Sequence, residues 1–224
     1  MTDRTIAIGD IHGCSIALET LLDVIQPRPN DLIIQLGDVI DRGPNSSKVV
    51  EQLIALDGKC QFELILGNHE EMLLNALSDK KEIERWLKNG GIQTLHSYGW
   101  KPGKRTNLAS VFPDHHLNFI RNAKPYFETD DAIFVHAGYE SQLPLSEQPD
   151  LALRWRVLSR NNVQPHFSMK TVFVGHTAQL SGNVLDLGFV KGIDTNCHRG
   201  GWLTAFEVHS GQVWQANDGG EIRC

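Results

Sequence analysis

The first third of the chain alternates short, continuous apolar runs with longer amphipathic stretches. A short continuous apolar run is typical of a strand buried on both faces, whereas apolar side chains that recur at helical spacing are typical of a helix. The pattern therefore predicts three parallel strands, each followed by a helix that covers the sheet. The predicted strands are Thr5 to Ile8, Leu32 to Leu36 and Phe62 to Leu66, and the predicted helices are Ser15 to Ile25, Ser46 to Leu56 and Glu70 to Leu77.

The rest of the chain divides into a polar middle segment and a second group of strands. Residues 79–122 carry more charge and only short apolar patches, which predicts a mainly helical and looped insertion over the sheet edge, with one helix near His115 to Asn122. Turn signals from Val190 onward predict an antiparallel meander and a second sheet layer. The later predicted strands are Ala132 to Val135, Thr171 to Val174, Phe189 to Ile193, Leu203 to Val208 and Gln212 to Ala216.

Length and composition narrow the class of protein. A chain of 224 residues, of which 41% are hydrophobic and 21% charged, has the size and composition of one folded domain, here taken as residues 1–224. No apolar run is long enough to span a bilayer, and the N-terminus lacks the pattern of a signal peptide. We therefore expect a cytoplasmic protein that does not enter membranes.

The charge argues against a general nucleic-acid-binding surface, and the cysteine pattern argues against a zinc ribbon or a disulfide framework. The net charge of -6 argues against a general basic surface for nucleic acid, so an anionic substrate would need local positive charge or metal. The oligomeric state has no signature in the sequence. The four cysteines lack a CxxC pair and are expected to be reduced thiols; they are Cys14, Cys60, Cys197 and Cys224.

Polar motifs that contain aspartate, asparagine or histidine lie directly after predicted strands. Because the carboxyl ends of the strands form the ligand-binding edge of an open α/β sheet, these motifs are expected to converge. Their glycines permit tight turns and bring the backbone close to a ligand. The motifs are Gly9-Asp10-Ile11-His12-Gly13, Gly37-Asp38-Val39-Ile40-Asp41-Arg42-Gly43, Gly67-Asn68-His69-Glu70, His136-Ala137-Gly138 and Gly175-His176-Thr177.

The carboxylate, amide and imidazole groups of these motifs form a ligand set suited to two divalent metal ions. Asp10 and His12 are one residue apart in an extended segment, so their side chains project from the same side and can bind one ion together. Asp38 is placed to bridge to a second ion. Oxygen and nitrogen ligands without thiolate favour Mn²⁺, with Fe and Zn²⁺ as alternatives. The predicted ligands are Asp10, His12, Asp38, Asn68, His136 and His176.

The same motifs supply the groups needed for phosphoester hydrolysis. Paired metal ions polarise a phosphoryl group and lower the pKa of a bridging water, which creates hydroxide for in-line attack. The alkoxide of serine or threonine leaves poorly unless it is protonated, and His69, which follows Asn68, is the predicted general acid, oriented by Asp41. Arg42 is predicted to bind the phosphoryl oxygens through its guanidinium, together with Asn68.

Residues outside the five motifs have less specific signals. The segment Leu153-Arg154-Trp155-Arg156 is expected to supply a second phosphate clamp, for which Arg156 is favoured over Arg154. His198 and Arg199 lie in a loop expected near the site and are candidates for lining a substrate groove. The histidines in no motif are assigned to the surface or to ordinary packing, and they are His96, His115, His116, His166 and His209.

The five motifs, in this order, resemble those of the phosphoprotein phosphatase family of serine/threonine phosphatases within the calcineurin-like metallophosphoesterases. The match runs from Gly9 to Thr177, and it is closer to the bacterial and phage branch because the chain is short and lacks a Ser-Ala-Pro-Asn-Tyr segment. The resemblance implies a four-layer α/β/β/α sandwich, the ligand roles given above, and phosphorylated proteins or small phosphoesters as substrates. It also implies a closing strand pair after Ile193, where Asn196 stands at a position expected to be glycine.

Two substrate classes and one further function stay open. By the same resemblance, bacterial relatives act on phosphoserine, phosphothreonine and sometimes phosphotyrosine, whereas a sister group hydrolyses diadenosine tetraphosphate symmetrically. That group usually has alanine at the position of Asp41 and aspartate at the position of Glu70, so both residues favour a protein phosphatase. The alternative of another class is a non-catalytic interaction module that keeps this fold. Such modules typically lose the acid or the metal ligands, which this chain retains.

Overall fold

The structure is a computed structural model that describes residues 4–102, 107–159 and 161–223. Residues 103–106 of the predicted insertion, and Cys224, lie outside the described residues. Within the described ranges, no helix combines the length and the apolar character that crossing a bilayer requires.

The centre of the first sheet is built from the three predicted parallel strands. Ile33 lies opposite Ile6 on one side and opposite Phe62 on the other, so the three strands are in parallel register. Each strand is followed by the predicted helix, and this β-α-β-α-β-α order is therefore confirmed. The strands are β1 (Thr5–Ile8), β2 (Leu32–Gln35) and β3 (Gln61–Leu64), and the helices are α1 (Ser15–Ile25), α2 (Ser46–Asp57) and α3 (Asn68–Ser78).

The second sheet is formed by strands from the middle and later parts of the chain. Its strands are β4 (Phe127–Glu128), β5 (Ala132–Phe134), β6 (Thr171–Val174), β7 (Leu185–Asp186) and β8 (Val190–Gly192). They are arranged in the order β4-β5-β6-β8-β7, with β5, β6 and β8 parallel. The prediction that the meander begins at Val190 is therefore wrong, since Val190 pairs with Val172 in this sheet. Turn signals locate strand ends but do not determine which sheet a strand joins.

The last strands return to the first sheet and extend it on the other side of β1. They are β9 (Asp194–Thr195), β10 (Trp202–Glu207), β11 (Val213–Ala216) and β12 (Ile222–Arg223). The path across the sheet is β12-β11-β10-β1-β2-β3, with β9 also paired to β10. Asn196 follows β9 with a φ of 66°, the left-handed conformation that favours glycine and that asparagine tolerates.

The two sheets pack face to face between outer layers of helix and loop. Alternation along β1 places Ile6 and Ile8 against the helices, whereas Ala7 faces the second sheet. Between the sheets, Ala7 shares an apolar cluster with Phe134 and Phe173. The opposite face of the second sheet is covered by α7 (Asp150–Trp155) and neighbouring loops. The expected four-layer α/β/β/α sandwich is confirmed.

The described part of the insertion is helical, as predicted, and it packs on the helices as well as near the sheet edge. Its helix α4 contacts α3, whereas α5 and α6 contact α2. A π-helical turn at Leu87–Gly91 joins α4 to α5. The helices are α4 (Ile83–Trp86), α5 (Ile92–Ser97) and α6 (Asp114–Arg121).

Candidate functional site

All five polar motifs lie at the carboxyl ends of strands, on one side of the two packed sheets. Asp10 and His12 follow β1, and Asp38 follows β2. Asn68 begins α3 just after β3, whereas His136 and His176 follow β5 and β6 of the second sheet. The sandwich therefore brings together motifs that are up to 166 residues apart, as between Asp10 and His176.

Asp38 lies at the centre of this group. One of its oxygens, Oδ2, is 3.5 Å from Nε2 of His12, and the other, Oδ1, is 3.4 Å from Nε2 of His136. The two oxygens thus face different imidazoles, which is the placement that a bridging ligand needs. Asp38 belongs to two compact ligand groups in the described part of the chain, one with His12 and His69 and one with His136 and His176.

Asn68 and Asp10 complete the contacts among the predicted ligands. The amide oxygen of Asn68 lies 2.9 Å from Nε2 of His136 and 3.1 Å from Nδ1 of His176. Both carboxylate oxygens of Asp10 accept the main-chain N–H of His176, at 3.1 and 3.2 Å. The structure therefore places all six predicted ligands in one group, of which His176 is half-buried and the others are buried, and Asp10 lies against its edge through a backbone contact.

Main-chain carbonyl groups orient two of the histidines. Nδ1 of His12 lies 3.0 Å from the carbonyl oxygen of Ile40, and Nδ1 of His136 lies 2.7 Å from that of Leu36. A carbonyl oxygen only accepts, so in both rings Nδ1 carries the proton and donates it. Nε2 then carries a lone pair, as in a histidine that binds metal, and it lies 3.5 Å from Asp38 in His12 and 3.4 Å from Asp38 in His136.

The backbone at the site is held in an uncommon conformation. Left-handed φ angles of 47° to 70° occur at residues that carry side chains; these are His12, Asp38, Asp41, Arg42 and His176. Such conformations are strained for non-glycine residues and persist where the surroundings hold them. Gly175 is required beside them, because a Cβ atom there would collide with the carboxylate of Asp10.

Glu70 holds the strained loop after β2. Its carboxylate accepts the main-chain N–H groups of Asp38 at 2.7 Å, Val39 at 2.9 Å and Ile40 at 3.3 Å, and that of Gly67 at 3.2 Å. From the sequence, Glu70 is expected only to mark the substrate class, whereas the structure places it beneath the loop that carries Asp38. The available signal was its position three residues after the N-cap Gly67, as in a capping box.

His69 and Asp41 form a buried pair. Nδ1 of His69 donates to Oδ2 of Asp41 at 2.8 Å, while Nε2 is buried without a hydrogen-bond partner, 3.9 Å from Asp38. Asp41 also accepts from Nε1 of Trp86 at 3.0 Å and from the hydroxyl of Thr94 at 2.6 Å. Trp86 and Thr94 come from the insertion and lie in no recognisable motif, so the sequence does not predict these contacts.

The electrostatic setting is one of crowded carboxylates and neutral imidazoles. Burial raises the pKa of Asp10 well above its usual value, and the nearby carboxylates of Asp194 and Asp38 raise it further. Burial also lowers the pKa of His12 well below its usual value and that of His176 to about 4. Carboxylates that repel one another beside uncharged nitrogen donors are stabilised by a bound cation.

His69 differs from the other histidines of the site. Burial lowers its pKa, but the carboxylates of Asp38 and Asp41 outweigh that effect, and the net pKa is raised above the usual value. The imidazole therefore retains a proton more readily than the rings of His12 and His136, whose pKa values are lowered by burial. A protonated His69 is suited to donating a proton and not to binding a metal.

Arg42 borders the ligand group, whereas Arg154 is committed elsewhere. Nη1 of Arg42 lies 2.9 Å from Nε2 of His12. Arg154 is buried in ion pairs with Glu71 at 2.6 Å and with Asp150 at 2.8 Å. These two ion pairs satisfy its guanidinium, so Arg154 is poorly placed to clamp a phosphate.

The predicted second clamp, Arg156, is partly exposed. Its Nη1 donates to the carbonyl oxygen of Tyr139 at 2.7 Å, and Nη2 pairs with Glu140. The side chain packs over Gly138, the last residue of the motif that begins with His136. Arg156 thus lies beside a site motif, although its described polar contacts are to the loop after β5 and not to the ligand group.

A cavity of about 440 Å³ opens next to the ligand group. Arg42 and His198 connect the two, since Arg42 contacts His12 and the ring of His198 lies 4.7 Å from the His12 ring. Gly90 lies against Arg42 in the lining, since its carbonyl accepts the N–H of Arg42 at 3.2 Å and its φ of 111° suits glycine. The described lining contains no carboxylate and consists of Arg42, Leu87, Lys88, Asn89, Gly90, Ile92, Gln93, His198 and Arg199.

Comparison with known proteins identifies similar sequences in one family. The pattern of the calcineurin-like phosphoesterase family matches residues 4–180. Shewanella-like protein phosphatase 1 of Plasmodium berghei (strain Anka) is 28% identical over 178 residues, which are 72% of this chain and 46% of that protein. The symmetrical bis(5'-nucleosyl)-tetraphosphatase of Erwinia tasmaniensis is 46% identical over 167 residues, 73% of this chain and 54% of that protein. The chain thus spans only about half the length of these relatives.

A solved structure shows the same fold. The cold-active protein-tyrosine phosphatase of a psychrophilic Shewanella species superimposes with a TM-score of 0.69 and 18% identity, over 100% of this chain and 80% of that one. At this identity the likeness concerns the arrangement of sheets and helices, and it agrees with the sandwich described above.

The residues at the site fit the dinuclear divalent metal centre that phosphoesterases of this family use. Asp38 belongs to both groups of potential ligands, and Nε2 of His12 and of His136 lie 3.5 Å and 3.4 Å from its two oxygens, whereas the raised pKa of His69 in the first group suits it to holding a proton. Nε2 of His69 is buried without a hydrogen-bond partner and lies 3.9 Å from Asp38, so it faces the space between the ligands. Oxygen and nitrogen donors without thiolate suit Mn²⁺, Fe or Zn²⁺, and this donor set does not distinguish these three metals.

Proposed function

Because the chain belongs to the calcineurin-like phosphoesterase family, we propose that it is a phosphoprotein phosphatase that hydrolyses phosphoserine and phosphothreonine monoesters, and phosphotyrosine as a further substrate. The proposed cofactor is a pair of divalent ions, Mn²⁺ first, with Fe and Zn²⁺ as alternatives. The protein is further proposed to be cytoplasmic and of the bacterial and phage branch. The proposed ligands are Asp10, His12, Asp38, Asn68, His136 and His176.

The role of the metal site follows from the donors around it. When bound there, divalent ions supply Lewis acidity that polarises a phosphoryl group and lowers the pKa of water. The chain's own contribution is to orient the donors, through the carbonyl groups of Ile40 and Leu36 and through Glu70 beneath the Asp38 loop. Arg42, beside His12, is proposed to bind the phosphoryl oxygens, with Arg156 as a second clamp.

The contact between His69 and Asp41 is the observation that supports a phosphomonoester as the substrate. The alkoxide of serine or threonine is a poor leaving group and must receive a proton as the P–O bond breaks, whereas the phosphate that leaves a phosphoanhydride needs little such help. Asp41 accepts the Nδ1 proton of His69 at 2.8 Å and so directs Nε2 towards Asp38. A buried, carboxylate-oriented acid of this kind supports the hydrolysis of a poor leaving group.

The test is a substrate comparison with metal-stripped protein to which Mn²⁺ is returned. We expect Mn²⁺ to restore hydrolysis of p-nitrophenyl phosphate, and kcat/KM to be higher for a phosphoserine peptide than for diadenosine tetraphosphate. The kcat/KM for a phosphotyrosine peptide in the same series measures whether the site also accepts phosphotyrosine. Lack of hydrolysis of every substrate after Mn²⁺ is returned would favour the non-catalytic interaction module instead.

The cavity beside Arg42 favours a second candidate, a symmetrical diadenosine tetraphosphatase. Arg42, Lys88 and Arg199 line it, and the lining within the described residues has no acidic group, although Lys88 also pairs with Glu84 at 2.6 Å. A leaving group that carries its own phosphates would be stabilised there, whereas a neutral peptide would gain little from three cations. The relative from Erwinia tasmaniensis bears this activity in its name.

Replacing Arg199 by alanine separates the two candidates. If the leaving group is a nucleoside polyphosphate, Arg199→Ala is expected to lower kcat/KM for diadenosine tetraphosphate about tenfold, the value of one charge-assisted contact. Hydrolysis of p-nitrophenyl phosphate should change less than about twofold, because its leaving group has no phosphate to bind. Arg121→Ala, an exposed arginine on α6, is the matched control. An equal loss on both substrates would argue against the second candidate.

A further inference from the structure

A second cluster of potential ligands lies between α2 and α6, away from the strand ends. Glu51 of α2 faces two consecutive histidines of α6: its Oε2 is 2.8 Å from Nε2 of His116 and 3.6 Å from Nε2 of His115. One ligand atom from each of the three residues falls within 4.8 Å of the other two. Both histidines are predicted from the sequence to lie at the surface or in ordinary packing, because no motif contains them.

The geometry of this cluster matches a small divalent ion. Zinc binds imidazole nitrogen and carboxylate oxygen at about 2.0 to 2.2 Å, so neighbouring ligand atoms around a tetrahedral ion are separated by about 3.4 Å. The separations of 2.8 and 3.6 Å at Glu51 lie on either side of that distance. Since all three ligand atoms lie within 4.8 Å of one another, side-chain rotations would bring them to one ion.

The surroundings of His116 prepare it to be a ligand. Its side chain is 6% exposed, and its Nδ1 lies 2.8 Å from the hydroxyl of Tyr98. A hydrogen bond at Nδ1 fixes the ring and, when Nδ1 carries the proton, leaves the Nε2 lone pair free for a metal. Burial raises the pKa of Tyr98 above its usual value, so the phenol stays uncharged and available for this contact.

The other two ligands leave the site open to solvent. The side chains of His115 and Glu51 are 62% and 64% exposed, so an ion can reach them and retain water in its fourth position. The hydrogen bond to His116 lowers the pKa of Glu51, which keeps that group a carboxylate at neutral pH. Two imidazoles and one carboxylate favour Zn²⁺ over Mg²⁺ or Ca²⁺, which prefer oxygen ligands.

We propose that Glu51, His115 and His116 form a second, separate metal site that binds Zn²⁺ or a similar transition-metal ion and joins α2 to the insertion helix α6. The two elements are 65 residues apart in sequence at the contact between Glu51 and His116. An ion held by both helices closes this long segment, and binding to the folded chain alone stabilises it. Without the ion, Glu51 and His116 keep their direct contact of 2.8 Å.

The test counts zinc and measures thermal stability on the full chain. Metal-stripped protein is equilibrated with Zn²⁺, dialysed and analysed for zinc per chain, for the parent, His115→Ala and Glu51→Gln. We expect both variants to hold one equivalent fewer than the parent, and the rise of Tm on adding Zn²⁺ to be smaller in both. His96→Ala, an exposed histidine of α5, is the matched control and should behave as the parent.

Zinc at the strand-end site does not confuse this outcome, because each comparison is a difference between variants that share that site. Hydrolysis of p-nitrophenyl phosphate with Mn²⁺ should be the same in His115→Ala and the parent, so failure of the proposed function is recorded separately. His115 is exposed, and its removal is expected to leave the fold intact. Equal zinc content in the parent and His115→Ala, or an equal loss in His96→Ala, would refute the second site.

Discussion

Asp38→Asn is expected to lower kcat/KM for p-nitrophenyl phosphate by about 10³-fold or more, since metal coordination supplies several kcal/mol of transition-state stabilisation. Asp38 is the residue shared by both ligand groups, and its two oxygens face His12 and His136 separately. Removing its charge weakens the attraction for both ions at once. A change at His176 would affect only one group.

The metal content of the variant identifies the cause of that loss. Manganese per chain, measured after dialysis, should fall in Asp38→Asn, and the far-UV spectrum should stay that of the parent. Asp31→Asn is the matched control, since it removes a buried carboxylate that pairs with Arg4 at 2.5 Å and not with the site. It should cost about 1 to 3 kcal/mol of folding stability yet retain manganese. Full metal content and full activity in Asp38→Asn would contradict the assignment of Asp38 as bridging ligand.

The predicted elements agree with the structure where one local rule determined them. The runs at β1 and β2 are apolar because both faces of the strands are buried, and helix α1 has the predicted bounds because its apolar side chains repeat at helical spacing. The pattern does not determine which strand a given strand pairs with. Val190 is apolar whether it lies beside Val172 or beside β10, so the sequence pattern could not distinguish the two sheets.

The candidate site likewise contains residues that the sequence predicts and residues that it does not. The predicted ligands follow strands and stand beside glycines. Because ligand sites of α/β sheets form at the carboxyl ends of the strands, the sequence was enough to predict that Asp10, Asp38 and His136 lie together. Trp86 and Thr94 were not predictable, since they reach Asp41 from an insertion whose path over α2 and α3 depends on packing. An indole N–H that binds a buried carboxylate has the same sequence signature as an indole that only fills space.

The position of Glu70 bears on its predicted value as a marker of substrate class. Its carboxylate contacts the backbone of the Asp38 loop and does not line the cavity beside Arg42. It can influence substrate choice only through the position of that loop. Asp41 keeps its bearing on the substrate, because it contacts the proposed acid directly.

His69→Asn is expected to lower kcat for a phosphoserine peptide by about 10²- to 10⁴-fold, the usual contribution of a general acid. The loss should be smaller for p-nitrophenyl phosphate, because p-nitrophenolate is stable without a proton and its departure depends less on Nε2 of His69. Measuring kcat for both substrates in the parent and the variant gives this ratio directly. His209→Asn, an exposed histidine between β10 and β11, should leave both values unchanged.

Asp41→Asn extends the same argument to the residue that orients the acid. The neutral amide weakens the hydrogen bond from Nδ1 of His69 and removes the charge that raises the pKa of that ring. The variant should therefore show the same leaving-group dependence as His69→Asn, with a smaller loss, and the double variant should lose no more than His69→Asn alone. Additive losses would mean that Asp41 acts independently of His69. Equal losses on both substrates would mean that the pair supports the metal site and that His69 is not the proton donor.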